Sequence, residues 1–475
     1  MRVDLFRQLA AQGAMIERLS SDSRRCAPGV AFLAYPGEKA DGRAHIEDAV
    51  GRGASAVLWE KHGFSWDAQW RVPNVPVEAL KQQAGGLAHE FYGRPSEALW
   101  VCGVTGTNGK TSCSQWIAAA LGRHGTKAGV IGTLGSGFPG ALTPFPNTTP
   151  DALELHFTLE QMRSSGAKAA AMEVSSHGLV QGRVNGVHFA CALFTNLSHA
   201  HLDYHGSMQA YGAAKARLFE TPGLQCAVLN LDDELGVELA RRLAGRVRTI
   251  GYSLTPRDAA VDQAIVADAC VRSPAPGRFN LSNALGVIGC LVAKGMTFDE
   301  AASLVAALPP VPGRMQTVSE EPLVVIDYAH TPDALDNVLR SLRPVASARN
   351  GRLTVVFGAG GDRDPSKRAP MGAIAAKLAD RVLITSDNPR GEDPLAIIEA
   401  VRRGAPACEA EVDRARAIEQ AILQSKKSDV VLIAGKGHET YQETAGRRTH
   451  FSDEEQARAA LMKRQKAGEP DDASR

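Results

Sequence analysis

Apolar runs of strand length alternate with helix-spaced segments along most of the chain. One set of runs lies at 99–105, 169–174, 190–196 and 227–231, and a second lies at 323–326, 353–357, 382–385 and 430–434. Segments such as 111–123 and 371–378 carry apolar residues at helical spacing. Because short apolar runs alternate with helices, the pattern predicts α/β domains with mainly parallel sheets.

Two turn-rich segments divide this pattern. Residues 92–96 (Tyr-Gly-Arg-Pro-Ser) precede the first set of strands, and residues 308–313 (Leu-Pro-Pro-Val-Pro-Gly) precede the second. Proline and glycine at this density mark connectors. At roughly 100–200 residues per domain, the 475-residue chain has room for three domains. We place them at 1–94, 95–309 and 310–475.

Charge and cysteine usage narrow the functional classes. Lys plus Arg total 53 against 52 for Asp plus Glu, so nothing favours a nucleic acid or an anionic membrane as partner. The eight cysteines form no CxxC pair, which favours a reducing compartment over a zinc or disulfide framework. The N-terminus lacks a signal-peptide core, and no apolar run approaches the roughly 18 residues of a membrane span. We expect a cytoplasmic protein without membrane insertion.

A glycine-rich segment at 103–112 (Gly-Val-Thr-Gly-Thr-Asn-Gly-Lys-Thr-Ser) follows a predicted strand and opens a predicted helix. Glycines let the backbone approach phosphate, and the first amides of the helix face the anion. Lys110 would contact the outer phosphates, and Thr111 or Ser112 would ligate Mg²⁺. Val104 stands where a standard Walker A motif begins with glycine. An ordinary glycine-rich turn is the alternative.

Polar residues follow the next strands of this set, where ligands of open parallel sheets bind. Glu173 ends one strand, and we interpret it as a Mg²⁺ ligand, since hard cations take oxygen donors. The alternative is a buried carboxylate paired for structural reasons. His199, His201 and His205 resemble a zinc cluster, but no cysteine is near, and one histidine as a ligand to a second Mg²⁺ fits better. Lys215 lies on a predicted helix, where a surface lysine is the default.

The second set of strands repeats the pattern. Polar loops follow its members at 327–332, 358–364, 387–390 and 435–439. Each loop taken alone could be a capped turn. Four polar loops at one edge of one sheet instead predict a shared binding site.

The motifs GTNGKTS, EVSSH, TNLSHAHLDYHG, YGAAKARLF, GRFNLSNA, DYAHTPDAL, GGDRD, DNPR and GKGHE occur in the order found in the Mur ligases, and the resemblance spans nearly the whole chain. It implies a uridine-nucleotide-binding α/β domain, a central P-loop ATPase domain with a mainly parallel sheet and a Rossmann-like C-terminal domain. DNPR resembles the diaminopimelate-recognition motif of the family. The implied reaction is ATP-dependent addition of meso-2,6-diaminopimelate to UDP-N-acetylmuramoyl-L-alanyl-D-glutamate, with two Mg²⁺ ions, in peptidoglycan synthesis.

The resemblance also implies roles for individual residues. ATP contacts fall on Gly106, Thr107, Asn108, Gly109, Lys110, Thr111, Ser112, Asn283, Arg314, Asp327 and His330. The catalytic and metal-binding set is Lys110, Thr111, Glu173, His201 and Lys215, the last as a carbamate. Precursor contacts fall on Ser21, Ser23, Glu38, Lys39, Ala40, Asn147, Thr148, Thr149, Ser175, Gln181 and Arg183. Diaminopimelate contacts fall on Arg363, Asp387, Asn388, Pro389, Arg390, Gly435 and Glu439.

Three further expectations and the alternatives complete the hypothesis. Residues 252–277 are short for the family, which usually has more strand before its GRFN motif. The ATP loop and DNPR lie in different domains, so a hinge is expected near 309–313. We expect a monomer. The alternatives are a lysine-adding sister ligase, a folylpolyglutamate synthetase and, from another class, a P-loop regulatory ATPase without a ligase reaction.

Overall fold

The computed structural model describes residues 2–38, 40–145, 147–257, 259–267 and 271–466. Its strands form three main sheets and one hairpin. Within the described residues, no helix combines the length and apolarity needed to cross a bilayer.

The N-terminal segment forms a four-stranded parallel sheet in the order β1-β2-β3-β4. Strands β2 and β3 (VAFLA and AVLWE) are buried along their whole length. Continuous apolar strands of this kind are typical of parallel sheets covered on both faces. The elements are α1 (Arg2–Ala11), β1 (Arg18–Ser20), β2 (Val30–Ala34), α2 (Ile46–Gly51), β3 (Ala56–Glu60), β4 (Asn74–Val77) and α3 (Leu80–Phe91).

The central segment forms a nine-stranded sheet in the order β13-β12-β11-β10-β5-β9-β6-β7-β8, parallel except at β6-β7-β8. Its elements are α4 (Pro95–Ala98), β5 (Trp100–Thr105), α5 (Lys110–Arg123), β6 (Ala128–Gly132), β7 (Gly135–Phe138), β8 (Ala141–Thr143), α6 (Ala152–Ser164), β9 (Ala169–Glu173), α7 (Ser176–Val180), β10 (Cys191–Phe194), α8 (Leu202–His205), α9 (Met208–Ala216), β11 (Cys226–Asn230), α10 (Glu234–Leu243), β12 (Arg248–Ser253), β13 (Gln263–Val266), α11 (Arg278–Ala293) and α12 (Phe298–Ala306).

The C-terminal segment forms a six-stranded sheet in the order β14-β15-β19-β16-β17-β18, with only β14 antiparallel among these strands, and a β20-β21 hairpin. Its elements are β14 (Gln316–Glu320), β15 (Leu323–Asp327), α13 (Pro332–Ala348), β16 (Leu353–Phe357), α14 (Arg368–Leu378), β17 (Arg381–Thr385), α15 (Pro394–Arg402), β18 (Glu409–Glu411), α16 (Arg414–Leu423), β19 (Val430–Ala434), β20 (Tyr441–Thr444), β21 (Arg447–His450) and α17 (Asp453–Lys466).

The predicted α/β architecture with mainly parallel sheets is confirmed. All eight predicted strands are present, with ends within two residues of the prediction. The eight predicted strands did not include β1–β4, β6–β8, β12–β14, β18 or the β20-β21 hairpin. Of these, β7, β8, β14 and β20 are short and half-exposed and lack a continuous apolar run. Strands β2, β3 and β6 are fully buried and were missed although their residues are mostly apolar. In the segment 252–277, the described residues include β13 at the sheet edge. The domain boundaries at 94 and 309 stay predictions.

One hydrophobic core extends from the central sheet into the C-terminal sheet. It includes Leu285 on α11 and Leu339 on α13, both fully buried. The Trp116 indole on α5 also donates a hydrogen bond to the carbonyl of Pro309 in the connector, at 3.2 Å. These contacts bring the carboxyl edge of the second sheet towards the glycine-rich loop of the first.

Candidate active site

The glycine-rich loop joins β5 to α5 in a conformation that needs glycine at two positions. Gly106 has φ +149° and Gly109 has φ +86°. A Cβ atom on Gly109 would lie 2.4 Å from Oδ1 of Asn283, and one on Gly106 would lie 1.8 Å from Oγ1 of Thr195. Neither position therefore has room for a side chain. Asn283, on α11, packs directly against the loop, as expected for a residue near the nucleotide.

Two lysines converge on this loop. The ammonium of Lys110 donates to the carbonyls of Gly106 and Thr107, both at 2.8 Å. The Lys215 side chain also donates to the Gly106 carbonyl at 2.8 Å, and this residue is 1% exposed. Burial lowers the pKa of both lysines, and for Lys215 the fall is large, with the nearby Lys110 charge adding to it. The default of a surface position, which spacing alone left for Lys215 and which the family resemblance opposed, does not hold, because the residue is buried beside the loop.

Glu173, at the end of β9, is a buried acceptor next to the loop. Its carboxylate accepts hydrogen bonds from the hydroxyls of Thr111 and Thr133, each at 3.1 Å, and from the Thr133 amide at 2.8 Å. All three partners are neutral donors. Thr133 was not identified from the sequence, because it lies in a short turn outside the strand-end motifs.

The predicted precursor contacts from the central domain form a connected network beside Glu173. The Thr149 hydroxyl donates to the Glu173 carbonyl at 3.0 Å and lies 3.1 Å from the Ser175 hydroxyl. Arg183 donates to the Thr149 carbonyl and to the Gln181 side chain, each at 2.8 Å. Thr148 joins this network through Thr133, at 3.1 Å between hydroxyls, and Asn147 is exposed in the same loop.

The N-terminal domain reaches this network through Glu38. The Glu38 carboxylate accepts from the Gln181 amide at 2.7 Å and from the Tyr204 hydroxyl at 3.3 Å. Ser21 and Ser23 follow β1, and Ala40 closes a turn by accepting from the amide of Gly37 at 2.8 Å. Lys39 lies outside the described residues. Glu38 thus joins the predicted uridine-side loop to the predicted muramoyl-side residues.

A group of aromatic side chains covers the other side of the two lysines. The His177 ring lies 5.0 Å from the His201 ring and 5.5 Å from the His205 ring, between centroids. The Tyr211 ring lies 5.9 Å from the His201 ring, and the Lys215 ammonium lies 4.3 Å from the Tyr211 ring centre. His201 has φ +55° at the start of α8. The structure thus places His201 near Lys215, as the proposed common role requires, and adds His177, which the sequence did not single out.

Three predicted ATP residues of the C-terminal domain lie across from the loop. Arg314 donates to the Thr111 hydroxyl at 3.2 Å, and its second terminal nitrogen is buried without a hydrogen-bond partner. Asp327 ends β15 and accepts from the amides of Met315 and Ala329, each at 2.8 Å. His330 is exposed, three residues further on. An unpaired buried guanidinium nitrogen at this place suits an anionic ligand.

Asp333 is a further link between the two domains. Its carboxylate accepts from the side chains of Asn108, at 2.9 Å, and Ser198, at 2.7 Å. It lies in the first turn of α13, directly after the DYAHTP motif. That motif pointed to the region, but the pairing with the glycine-rich loop depends on how the two sheets pack, which no local pattern reveals.

The DNPR and GKGHE loops meet at the carboxyl edge of the second sheet. The Asn388 amide donates to the Glu439 carboxylate at 2.8 Å. Lys436, which is fully buried, donates to the side-chain oxygens of Asn388 and Glu439 at 3.0 and 3.1 Å. A Cβ atom on Gly435 would lie 2.6 Å from the Asp387 carboxylate. Lys436 was not predicted, although it lies within a motif that was.

The two predicted arginines differ in how firmly they are held. Arg390 has φ +54°, donates its guanidinium to the Gly361 carbonyl at 2.7 Å and is half-buried. Its backbone amide donates to the Glu443 carbonyl on the β20-β21 hairpin at 2.9 Å. Pro389, just before it, is buried, whereas Arg363 is exposed. A left-handed backbone at a non-glycine residue is costly, so the fold holds Arg390 in a specific position.

A fully buried ion pair supports this edge. Arg414 and Asp453 make a bidentate pair at 2.7 Å, with both side chains 0% exposed. The Arg414 guanidinium also donates to the carbonyls of Ser386 and Ala434, at 3.2 and 2.9 Å. These carbonyls immediately precede Asp387 and Gly435, so the pair positions the backbone of both predicted diaminopimelate loops.

The substitution Asp453→Ala should lower the free energy of unfolding of the C-terminal domain by about 3–5 kcal/mol, because it leaves a buried guanidinium unpaired. Denaturant unfolding measures the change. Glu455→Ala removes an exposed partner of His450 from the same helix and should cost at most about 1 kcal/mol. Equal effects of the two substitutions would show that the buried pair does not support this domain.

A chain of contacts joins the two predicted sites. Arg314 contacts Thr111 on the glycine-rich loop, and its guanidinium carbon lies 4.3 Å from the centre of the Tyr328 ring. The Tyr328 and His438 rings are 5.2 Å apart, and His438 precedes Glu439. Packed side chains therefore connect the glycine-rich loop to the Asn388–Glu439 pair across the two sheets.

Family models match most of the chain. The Mur ligase family catalytic domain matches residues 15–92, the Mur ligase middle domain matches 104–291, and the Mur ligase glutamate ligase domain matches 313–437. Each model falls on one of the three main sheets.

Relatives and solved structures agree with these matches. The UDP-N-acetylmuramoyl-L-alanyl-D-glutamate–2,6-diaminopimelate ligases of Pseudomonas aeruginosa and Nitrosomonas europaea are 49% and 46% identical, covering 96% and 94% of this chain and 97% and 93% of theirs. A solved ligase of that name is 36% identical, with a TM-score of 0.65 and 95% of each chain covered. The MurF ligase from Thermotoga maritima in complex with ADP shares the fold. It is 18% identical, with a TM-score of 0.62, and the match covers 95% of this chain and 99% of that one. The chain therefore belongs to the Mur ligase family of ATP-dependent ligases.

Proposed function

We propose that this protein joins the D-glutamyl carboxylate of UDP-N-acetylmuramoyl-L-alanyl-D-glutamate to an amino group of meso-2,6-diaminopimelate, with ATP as energy source, in peptidoglycan synthesis. The relatives described above carry this activity in their names. The supporting structural observation is the continuous run of contacts through Arg314, Tyr328 and His438 that links the glycine-rich loop to the Asn388–Glu439 pair.

The reaction has two steps. The D-glutamyl carboxylate attacks the γ-phosphorus of ATP, which gives an acyl phosphate and ADP. The amine at the L-centre of diaminopimelate then attacks the acyl carbon, expels phosphate, loses a proton and leaves an amide. No side-chain nucleophile is needed, so the protein contributes positioning and charge neutralisation. Lys110 would move from its loop carbonyls to the phosphates, and Arg314 would offer its unpaired nitrogen to the same anion.

The residues around the loop fit two Mg²⁺ ions. Thr111 and Glu173 place a hydroxyl and a carboxylate oxygen 3.1 Å apart, which is the hard donor set that Mg²⁺ takes. When bound, the ions offset negative charge between the carboxylate and the γ-phosphate. Lys215, once carbamylated, and His201 would hold the second ion. Burial lowers the pKa of Lys215, which favours the neutral amine that carbamylation requires.

The precursor would lie across the domain junction. Arg183 and the hydroxyls of Thr149 and Ser175 are next to Glu173, so a carboxylate bound there would face the phosphate loop. Asn147 and Thr148 extend this surface. Glu38, Ala40 and the serines after β1 would receive the uridine end, together with Lys39.

The amino-acid pocket would recognise the far end of diaminopimelate, which carries both an ammonium and a carboxylate. Arg390 and Arg363 offer planar donors to that carboxylate. The Asn388 oxygen already accepts hydrogen bonds from Lys436 and from the Glu443 amide, so Glu439 is the better acceptor for the ammonium, and Asn388 orients it. Lysine lacks the far carboxylate and would leave the guanidinium donors unpaired.

Phosphate release measured with each substrate omitted in turn tests the proposed function. We expect release only when ATP, the UDP-linked dipeptide and diaminopimelate are all present, with a tripeptide product detected by mass spectrometry. Equal or faster turnover with lysine would identify a lysine-adding ligase. A rate of ATP hydrolysis that does not change when the UDP-linked dipeptide and diaminopimelate are omitted would identify a regulatory ATPase.

The substitution Arg390→Ala should lower kcat/KM for diaminopimelate by about 10- to 100-fold, since an unpaired charged partner costs on the order of 1.5–3 kcal/mol. The KM for ATP should stay unchanged, because Arg390 lies on the far loop. Arg403→Ala, an exposed arginine after α15, is the matched control. An unchanged kcat/KM for diaminopimelate in the Arg390→Ala variant would show that Arg390 does not bind this substrate.

The cellular setting is part of the proposal. All seven cysteines among the described residues are free thiols, as expected in a reducing compartment. We propose the cytoplasm, where ATP is supplied. A monomeric state and a hinge at 309–313 stay predictions.

A further inference from the structure

We propose that His89, Glu97 and His188 form a binding site for a divalent transition-metal ion, with Zn²⁺ as the ion that suits the donor set best. The three residues come from the last turn of α3, from α4 and from the loop before β10. They lie at the junction of the N-terminal and central domains, and none of them takes part in the proposed ligase reaction.

The spacing of the donor atoms fits a tetrahedral ion. Nε2 of His89 is 3.3 Å from Oε1 of Glu97, and Nε2 of His188 is 3.5 Å from the same oxygen. All three donor atoms lie within 4.8 Å of one another. Two ligands at about 2.1 Å from Zn²⁺ with tetrahedral angles are about 3.4 Å apart. Two of the three separations already match, and His188, which is exposed, can rotate to close the third.

A buried hydroxyl orients both histidines. Ser96 is 2% exposed, and its oxygen lies 3.5 Å from Nδ1 of His89 while accepting the backbone amide of His188 at 3.0 Å. A metal-binding histidine usually donates its other ring N–H to such an acceptor, which fixes the tautomer. Without a metal, Nε2 of His89 lies at hydrogen-bond distance from Glu97; a bound ion would replace that proton at Nε2, and Nδ1, which faces Ser96, would carry the ring proton.

The arrangement of the two histidine rings also suits a cation. The His89 and His188 rings are stacked, with centroids 5.1 Å apart, so two imidazolium charges would repel there. A cation shared by both rings removes that repulsion.

The donor set separates this ion from the Mg²⁺ of the ligase reaction. Imidazole nitrogen suits Zn²⁺, Co²⁺ and Ni²⁺, whereas Mg²⁺ takes oxygen ligands and keeps its water. One ligand belongs to α3 and another to the central domain, so the ion would join the two. The junction is already closely packed beside it, because a Cβ atom on Gly85 of α3 would lie 2.1 Å from the Asn185 carbonyl.

Titration of the tag-free, full-length protein with Co²⁺ and Zn²⁺ in excess Mg²⁺ tests the site. We expect one equivalent of Co²⁺ with visible d–d bands and without an intense thiolate charge-transfer band. That second criterion separates this site from the buried thiols of Cys102, Cys191 and Cys290, which also lie within 4.8 Å of one another. Zn²⁺ should displace the Co²⁺ and raise the Tm.

Variants locate the ion. His188→Ala and Glu97→Gln change exposed side chains, and each should weaken Zn²⁺ binding at least about tenfold and abolish the rise in Tm. His124→Ala, an exposed histidine at the end of α5, is the control and should bind as the unchanged protein does. No saturable uptake, unchanged affinity in both site variants, or a spectrum dominated by thiolate would each overturn the proposal.

Discussion

Replacing Lys110 by alanine should lower kcat by about 10²–10³-fold while the fold is retained. In the structure its ammonium donates to the carbonyls of Gly106 and Thr107, within the turn that would cradle the phosphates. Removing one preorganised group that stabilises charge in the transition state typically has an effect of this size. The side chain packs no core, so the Tm should change little.

The control for this experiment is Lys168→Ala, which removes an exposed lysine before β9. Steady-state phosphate release gives kcat, and thermal unfolding reports the fold. Lys110→Arg keeps the positive charge but changes the geometry of the cation, because the longer guanidinium cannot donate to the same two carbonyls in the same way. Near-normal turnover of Lys110→Ala would contradict the assignment of this loop as the phosphate site.

Replacing Lys215 by alanine should also lower turnover by about 10²–10³-fold, and this loss should be partly reversed by a small carboxylic acid. The neutral amine of Lys215 attacks the carbon of CO₂, forms an N–C bond and releases one proton, which leaves a carboxylate-like group. Acetate diffusing into the space left by the side chain would supply an equivalent carboxylate. Lys215→Arg should be equally impaired and should not respond to acetate.

The carbamate itself can be observed. Protein equilibrated with ¹³C-labelled bicarbonate should show one carbamate resonance that is missing in Lys215→Ala. Burial lowers the pKa of Lys215 and so favours the neutral amine, and the resonance should fade as acid protonates the amine. Full activity of the Lys215 variants in CO₂-free buffer would remove this residue from the mechanism.

The sequence correctly placed predicted site residues at a sheet edge where a continuous apolar run, which marks a buried strand, is followed directly by polar residues. Buried parallel strands such as β16 and β19 are continuous apolar runs, and they were predicted with their exact bounds. The polar residues that follow them must lie at one edge, because parallel strands end on the same side of a sheet. Glu173 and Asn388 were found in this way.

Burial of charged groups was not predictable from sequence. Helical spacing alone left a surface position as the default for Lys215, and only the family resemblance opposed it; the residue is 1% exposed, because α9 presents this face to the glycine-rich loop. Lys436 and Arg414 are fully buried for the same kind of reason: each fills a space between elements distant in sequence. Helical or strand periodicity describes which face a residue occupies and does not reveal what covers that face.

The sequence by itself determined the α/β class, eight buried strands of the two larger sheets and the chemistry of the loops that follow them, because these depend on neighbouring residues. Only the tertiary structure decided which loops contact each other. Asp333 meets Asn108, and Glu38 meets Gln181, across separations of 225 and 143 residues. Such pairs depend on how whole sheets pack against each other. The packing of the sheets depends on the close fit of side chains throughout the molecule, and no short segment of sequence contains that information.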